Sequence, residues 1–109
     1  MREHIDALLC EHDIIVWIVK RPDRAFALSD PSEVFIPVVR SVISYATALH
    51  EIGHVLGRHQ YSPRSLVRER WAWAWARRNA LIWTPRMDRM SKQILADLGD
   101  RPGSRSGPF

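Results

Sequence analysis

Residues 47–60 read TALHEIGHVLGRHQ, a stretch holding three of the chain's five histidines and two of its five glycines. Through it and ahead of it, Val42, Tyr45, Leu49, Ile52 and Leu56 recur at intervals of three and four, the period of one helical face. Ser41 or Ser44 can cap the start, and Gly57 can take the left-handed conformation that ends many helices. A helix of about four turns is expected. At about 100° per residue, His54 lies only about 40° from His50, while the apolar cluster sits near 240°. One face packs, and the histidine face is free for chemistry. Glu51, at about 100° on the same wheel, stands beside the two imidazoles rather than in line with them. That is the arrangement of an HExxH zinc site, in which two histidines bind the metal and the glutamate serves a water as general base. Gly53 and Gly57 fall between the two faces, where a missing Cβ lets another segment approach closely. A glycine inside a helix costs up to about 1 kcal/mol against alanine, so Gly53 calls for such a reason.

Outward from this helix, the elements follow a simple order. Residues 2–12 read as a short amphipathic helix with Ile5, Leu8, Leu9 and His12 at helical spacing. The run IIVWIVK, residues 14–20, predicts a strand buried on both faces. RAFALSD (24–30) and SEVFIPVV (32–39) predict two further strands, with Pro37 placing the last at or beside a sheet edge because it lacks an N–H. After residue 60, Ser62 and Pro63 open a long helix running to about residue 83, and Thr84 and Pro85 open a last one stopping around Gly99. The expected architecture is α+β, a three-stranded sheet packed on the HExxH helix with two further C-terminal helices, in a single domain over residues 1–99. Residues 100–109 read as a disordered tail.

A catalytic zinc takes three protein ligands and keeps a position open. His59 sits one residue short of the register in which a third histidine would follow, because that position is Gln60. Glu69 is the acid that lies between Glu51 and Asp88, in the first half of the next helix. Ala72, Trp73, Ala76 and Ala80 stay within about 60° of it on the wheel, whereas Trp71 and Trp75 point away. An alanine seam carrying one acid predicts close approach to the HExxH helix and a carboxylate that a cation would neutralise. The expected metal ligands are therefore His50, His54 and Glu69, with Glu51 as catalytic base and Zn2+ as cofactor. Tyr61, Tyr45 and Arg70 are the candidates for a second donor to the developing oxyanion.

The segment HEIGHVLGRH followed by ERWA at residues 69–72 resembles the ImmA/IrrE group of small zinc metallopeptidases, found in bacteria, phages and other mobile elements. The likeness spans roughly residues 14–83. It implies a minimal zincin fold, zinc on His50, His54 and Glu69, Glu51 polarising the attacking water, and limited cleavage of a protein such as a transcriptional repressor. The second helix is richer in Trp and Arg than is usual in that group.

Charge points to a second class of function. Residues 1–57 carry five basic and eight acidic side chains, and residues 58–109 carry eleven and four, a change from −3 to +7. Such a positive half can steer an acidic regulatory protein or nucleic acid. The alternative function is a zinc-stabilised, non-catalytic binding module that uses this half. The longest apolar run, residues 14–19, is far short of the roughly 20 residues that span a bilayer, and the N-terminus lacks a signal-peptide pattern. A cytoplasmic protein without membrane contact is expected. The lone Cys10 has no disulfide or CxxC partner and is expected to pack.

Overall fold

The computed structural model describes residues 1–99; the tail expected over 100–109 lies outside the described residues. Among the described residues the chain forms a small α+β fold of four α-helices and a three-stranded mixed sheet. The order is α1 (Arg2–Glu11), β1 (Ile15–Ile18), a 3₁₀ turn (Pro22–Arg24), β2 (Phe26–Leu28), β3 (Glu33–Ile36), α2 (Val42–Leu56), α3 (Ser65–Asn79) and α4 (Pro85–Gly99). No helix among these residues is long and apolar enough to cross a membrane.

The HExxH helix, α2, is the centre of the molecule. Ser41 and Ser44 close its first turn reciprocally: the Ser44 N–H donates to Ser41 Oγ and the Ser41 N–H donates to Ser44 Oγ. Tyr45, Leu49 and Ile52 are fully buried, as their spacing predicts. Burial goes further than one stripe, however. Every residue from Ser44 to Gly53 is buried, because α2 has β2 and β3 on one side and α1, α3 and α4 around the rest. Small residues make this enclosure possible. A Cβ on Gly53 would sit 2.5 Å from the Ala72 carbonyl oxygen of α3, so the missing side chain is what lets the two helix backbones touch. Gly57 ends the helix with φ −74°, in extended rather than left-handed backbone, and the left-handed residue of this turn is His59, at φ 59°.

The sheet corrects two expectations. Its order is β1-β3-β2, with β1 and β3 parallel and β2 and β3 antiparallel. The strand expected at or beside an edge is therefore the middle one, paired on both sides. The chain runs from β1 to the far edge and returns between the two, and Pro37 lies just past the end of β3, where its missing N–H costs no ladder bond. The second correction concerns β1, which is exposed along its whole length instead of buried on both faces. Helices cover only one face of the sheet, the one bearing Val34 and Ile36. A continuous apolar run on such a sheet sends alternate side chains, here Ile15 and Trp17, to the open face, and because no helix packs closely on β1, Val16 and Ile18 on the other face stay exposed as well. On the open face Trp17 stacks on Phe35 and Phe35 on Phe26, with ring centroids 6.1 and 4.1 Å apart, and the Trp17 indole N–H donates to Glu33 Oε1 at 3.0 Å.

Two local expectations also change. Cys10 is exposed on α1 rather than packed, and His12 is exposed at that helix's C-cap. The third helix begins at Ser65 and ends at Asn79, shorter at both ends than residues 62–83, whereas α4 opens at Pro85 with the Met87 N–H on Thr84 Oγ1.

Candidate metal centre

Three side chains converge where α2 and α3 touch. His50 and His54 project from adjacent turns of α2, with their ring centroids 4.6 Å apart. Glu69 reaches them from the second turn of α3. Its two carboxylate oxygens lie 3.0 Å from His50 Nε2 and 2.6 Å from His54 Nε2. These ligand atoms, one from each residue, all fall within 4.8 Å of one another. The three residues form a group that could hold a metal ion. Glu69 reaches this point because Ala72 and Ala76, one and two turns further along α3, are fully buried against the core and hold the helices at contact distance.

Each histidine is oriented from behind. His54 Nδ1 lies 2.8 Å from Gln60 Oε1. The Gln60 amide nitrogen donates to two carbonyls, those of Arg58 and Arg68. A carbonyl can only accept, so the amide's orientation is fixed and its oxygen must face the ring. His54 therefore carries a hydrogen on Nδ1, which leaves Nε2 as the nitrogen that faces Glu69. For His50, Glu51 Oε2 lies 3.3 Å from Nδ1. Its ring also lies flat against the Trp73 indole, with centroids 4.2 Å apart and planes within 9°. A ring held on one side by a carboxylate and on one face by an indole has little freedom to turn.

Electrostatically, the cluster is tightly coupled. Burial works against a charge on His50, but the hydrogen bonds its ring donates to Glu51 and Glu69, together with their negative charges, outweigh it and push its pKa up to about 9. Burial likewise works to raise Glu69, yet hydrogen bonds and charge from His50 and His54 bring it down to about 2. Glu51 is 6% exposed. A buried carboxylate, Glu51, and a half-buried one, Glu69, beside two imidazoles are costly without a cation among them. Two neutral nitrogens and a carboxylate oxygen are also a donor set that suits zinc, so the residues fit the ion they were expected to hold.

The cluster opens into a cleft of about 430 Å³ bordered by β2, through Phe26 and Ala27, and by Gln60 and Arg68. Other candidates lie elsewhere. His59 is exposed and packs on Trp71, with centroids 4.6 Å apart. Asp88 pairs with Lys92 at 2.7 Å and accepts from the Trp83 indole at 3.0 Å. None of the three expected oxyanion donors lines the cleft. Tyr45 is fully buried, with its hydroxyl 2.6 Å from His4 Nδ1 and accepting from the Leu81 N–H, while Tyr61 is 85% exposed. Arg68 lines the cleft in their place, with its guanidinium donating to the Ser62 carbonyl.

Sequence reasoning passed over Gln60 and Trp73 as site residues. Gln60 registers in the sequence only as an absent histidine. The helical wheel places Trp73 on the Glu69 side but says nothing of which ring it meets. Comparison with protein-family models, with characterised proteins and with solved structures finds no match to this chain.

Proposed function

We propose that the protein is a zinc metallopeptidase resembling the ImmA/IrrE group, in which His50, His54 and Glu69 hold Zn2+ and Glu51 is the general base. The observation that carries this reading is the convergence of two imidazole Nε2 atoms and both Glu69 oxygens, with the buried Glu51 carboxylate beside them and all four residues facing one cleft. Zinc bound there would supply Lewis-acid chemistry, acidifying a water and polarising the scissile carbonyl. Glu51 takes a proton from the attacking water and returns it to the departing amine nitrogen, so the base is regenerated with each bond cleaved. Its carboxylate lines the cleft beside His50, where such a water would be within its reach. Gln60 and Trp73 hold the two rings. Arg68 is the side chain of the cleft best suited to a second hydrogen bond on the developing oxyanion.

The substrate lies along β2. β3 has both its edges paired, whereas β2 is an edge strand bordering the cleft, and an extended peptide can add to its free backbone groups. An open, edge-bound cleft suits a flexible loop of a protein substrate, such as a transcriptional repressor. The alternative, a zinc-stabilised binding module for an acidic protein or nucleic acid, draws its support from exposed Arg58, Arg64, Arg70 and Arg78 on α3 and the turn before it.

The deciding experiment incubates the zinc-loaded protein with a mixed peptide library and reads new amino termini by mass spectrometry. Glu51→Gln is expected to keep zinc and fold and to lose at least about 100-fold in rate, the usual contribution of a positioned base. Glu69→Ala is expected to lose zinc. Cleavage at the wild-type rate by a folded, zinc-loaded Glu51→Gln protein refutes the peptidase reading and leaves the binding module.

A further inference from the structure

Among the described residues, β1 is an edge strand paired on one side only, with β3. The Ile15 N–H donates to the Ser32 carbonyl and the Val19 N–H to the Ile36 carbonyl. Backbone groups alternate in direction along a strand, so residues 15, 17 and 19 turn theirs to β3, whereas Val16 and Ile18 turn theirs outward. The free edge thus offers two N–H donors and two carbonyl acceptors. Its side chains are open as well, with Ile15, Val16, Trp17 and Ile18 between 40% and 61% exposed. Edge strands of native proteins are usually guarded against pairing by a charge, a proline or a bulge. The stretch from Ile14 to Val19 holds no charge and no proline, and its register with β3 runs without a break over residues 15–18. On the helix side, a groove of about 130 Å³ separates β1 from α1, walled by Ile5, Leu9, Val16 and Ile18 and rimmed by Arg2 and Asp6.

We infer that this edge is the docking surface for a second copy of the chain, the two β1 strands pairing antiparallel about a twofold axis through Trp17. The inference is independent of the peptidase reading, because neither the metal ligands nor the cleft enters it. Self-complementarity carries the choice of occupant and fixes the register. An antiparallel ladder forms only where outward-turned residues stand opposite one another. With Trp17 opposite Trp17, Val16 of each copy faces Ile18 of the other, and four N–H···O bonds use every outward donor and acceptor of the two residues. An axis at Val16 would set Ile18 against Ile14, whose N–H already donates to the Leu9 carbonyl. An axis at Ile18 would set Val16 against Lys20, which lies beyond the strand. The side chains agree with the middle register. Ile15 and Trp17 of both copies share the open face, Val16 and Ile18 share the helix face, and all leave water against apolar partners. The same twofold runs the two α1 helices antiparallel, so the order Arg2 then Asp6 on one copy meets Asp6 then Arg2 on the other. The combined sheet runs β2-β3-β1-β1-β3-β2, with both clefts left open at its far edges. A strand pair with its flanking groove falls below the roughly 800 Å² per partner of a standard interface, so a Kd on the order of micromolar is expected.

Sedimentation equilibrium of the full chain between about 1 and 200 µM, a range that brackets such a Kd, is expected to show the mass rising from one chain to two. Ile18→Lys adds a charge to the edge at a side chain already 61% exposed, and is expected to weaken association at least about tenfold with zinc content and melting temperature unchanged. Cross-linking tests the register. Because Cys10 is exposed, cysteines are introduced in a Cys10→Ser background. The axis makes the two residues at position 17 a non-hydrogen-bonded pair with Cα atoms about 4.5 Å apart, within disulfide reach, whereas those at position 15 stand about 13 Å apart along the strand. Mild oxidation is therefore expected to link Trp17→Cys chains in high yield and to leave Ile15→Cys chains single. A wild-type chain that stays monomeric up to the highest concentration, a dimer that survives Ile18→Lys, or equal cross-linking at positions 15 and 17 overturns the inference. If Ile18→Lys fails to fold, the cross-linking contrast alone decides.

Discussion

Gly53→Ala tests the packing that brings Glu69 to the histidines. In an exposed helix the change is stabilising by roughly 0.5–1 kcal/mol, because glycine has more backbone freedom to lose on folding. Here the added methyl would lie 2.5 Å from the Ala72 carbonyl oxygen and 3.1 Å from two further backbone atoms of Ala72. Backbone cannot rotate out of the way as a side chain can. Reaching ordinary contact, 3.4 Å, from 2.5 Å requires α2 and α3 to part by up to 3.4 − 2.5 = 0.9 Å. Overpacking of this kind costs about 1–3 kcal/mol, which exceeds the propensity gain and leaves a net loss of roughly 1–2 kcal/mol. For a domain of this size that is a fall in Tm of about 5–15 °C. The metal site should suffer more than the fold. Glu69 lies one turn before Ala72 on the same helix, and ligand distances tolerate only about 0.2 Å, so zinc affinity is expected to drop at least tenfold. Thermal melts of metal-free protein and a competitive zinc chelator titration measure the two effects. A Gly53→Ala protein that melts at or above the wild-type temperature and binds zinc equally well would show that the helices are not held at backbone contact.

Other perturbations probe separate parts of the molecule. Gln60→Ala removes the acceptor that fixes the His54 ring and is expected to weaken zinc binding about 10–100-fold with little change in melting temperature, since partners behind metal ligands are typically worth that much; unchanged affinity by chelator competition would remove Gln60 from the site. Tyr45→Phe removes the hydroxyl that accepts from the Leu81 N–H and meets His4, and a loss of about 0.5–1.5 kcal/mol in urea unfolding is expected. In metal-stripped protein, His50 is raised from 6.5 to about 9, so its contribution to stability is complete below pH 6.5 and is lost as pH rises through about 9. Glu69 is lowered from 4.5 to about 2, so its contribution is complete above pH 4.5 and is lost as pH falls through about 2. Urea unfolding of the stripped protein should therefore show the cluster's stabilisation at its greatest between pH 4.5 and 6.5, and a Glu69→Gln protein should lose that maximum. An identical pH profile for the two would contradict the coupling of His50 to Glu69.

Periodicity alone placed His50 and His54 on one line of a helix and Tyr45, Leu49 and Ile52 on another, because helical geometry repeats every few residues and needs no partner to be read. The capping serines and the Thr84–Pro85 start of α4 are local in the same sense. Glu69 was legible at one remove, through the alanines that share its face, since small side chains in a seam announce a close neighbour without naming it. The partners of these residues depended on the tertiary structure. Gln60 reaches His54 only because the turn after α2 folds back under α3, and Trp73 meets the His50 ring only once Gly53 and Ala72 have set the distance between helices. Strand order was beyond the sequence for the same reason. Hydrogen bonding between strands joins residues far apart in the chain, so nothing in SEVFIPVV tells whether one neighbour or two will pair with it. The sequence by itself determined which side chains could hold a metal ion; the pairing of β3 in mid-sheet, which leaves β2 bordering the cleft, and the helix contact at Gly53 decided where they meet.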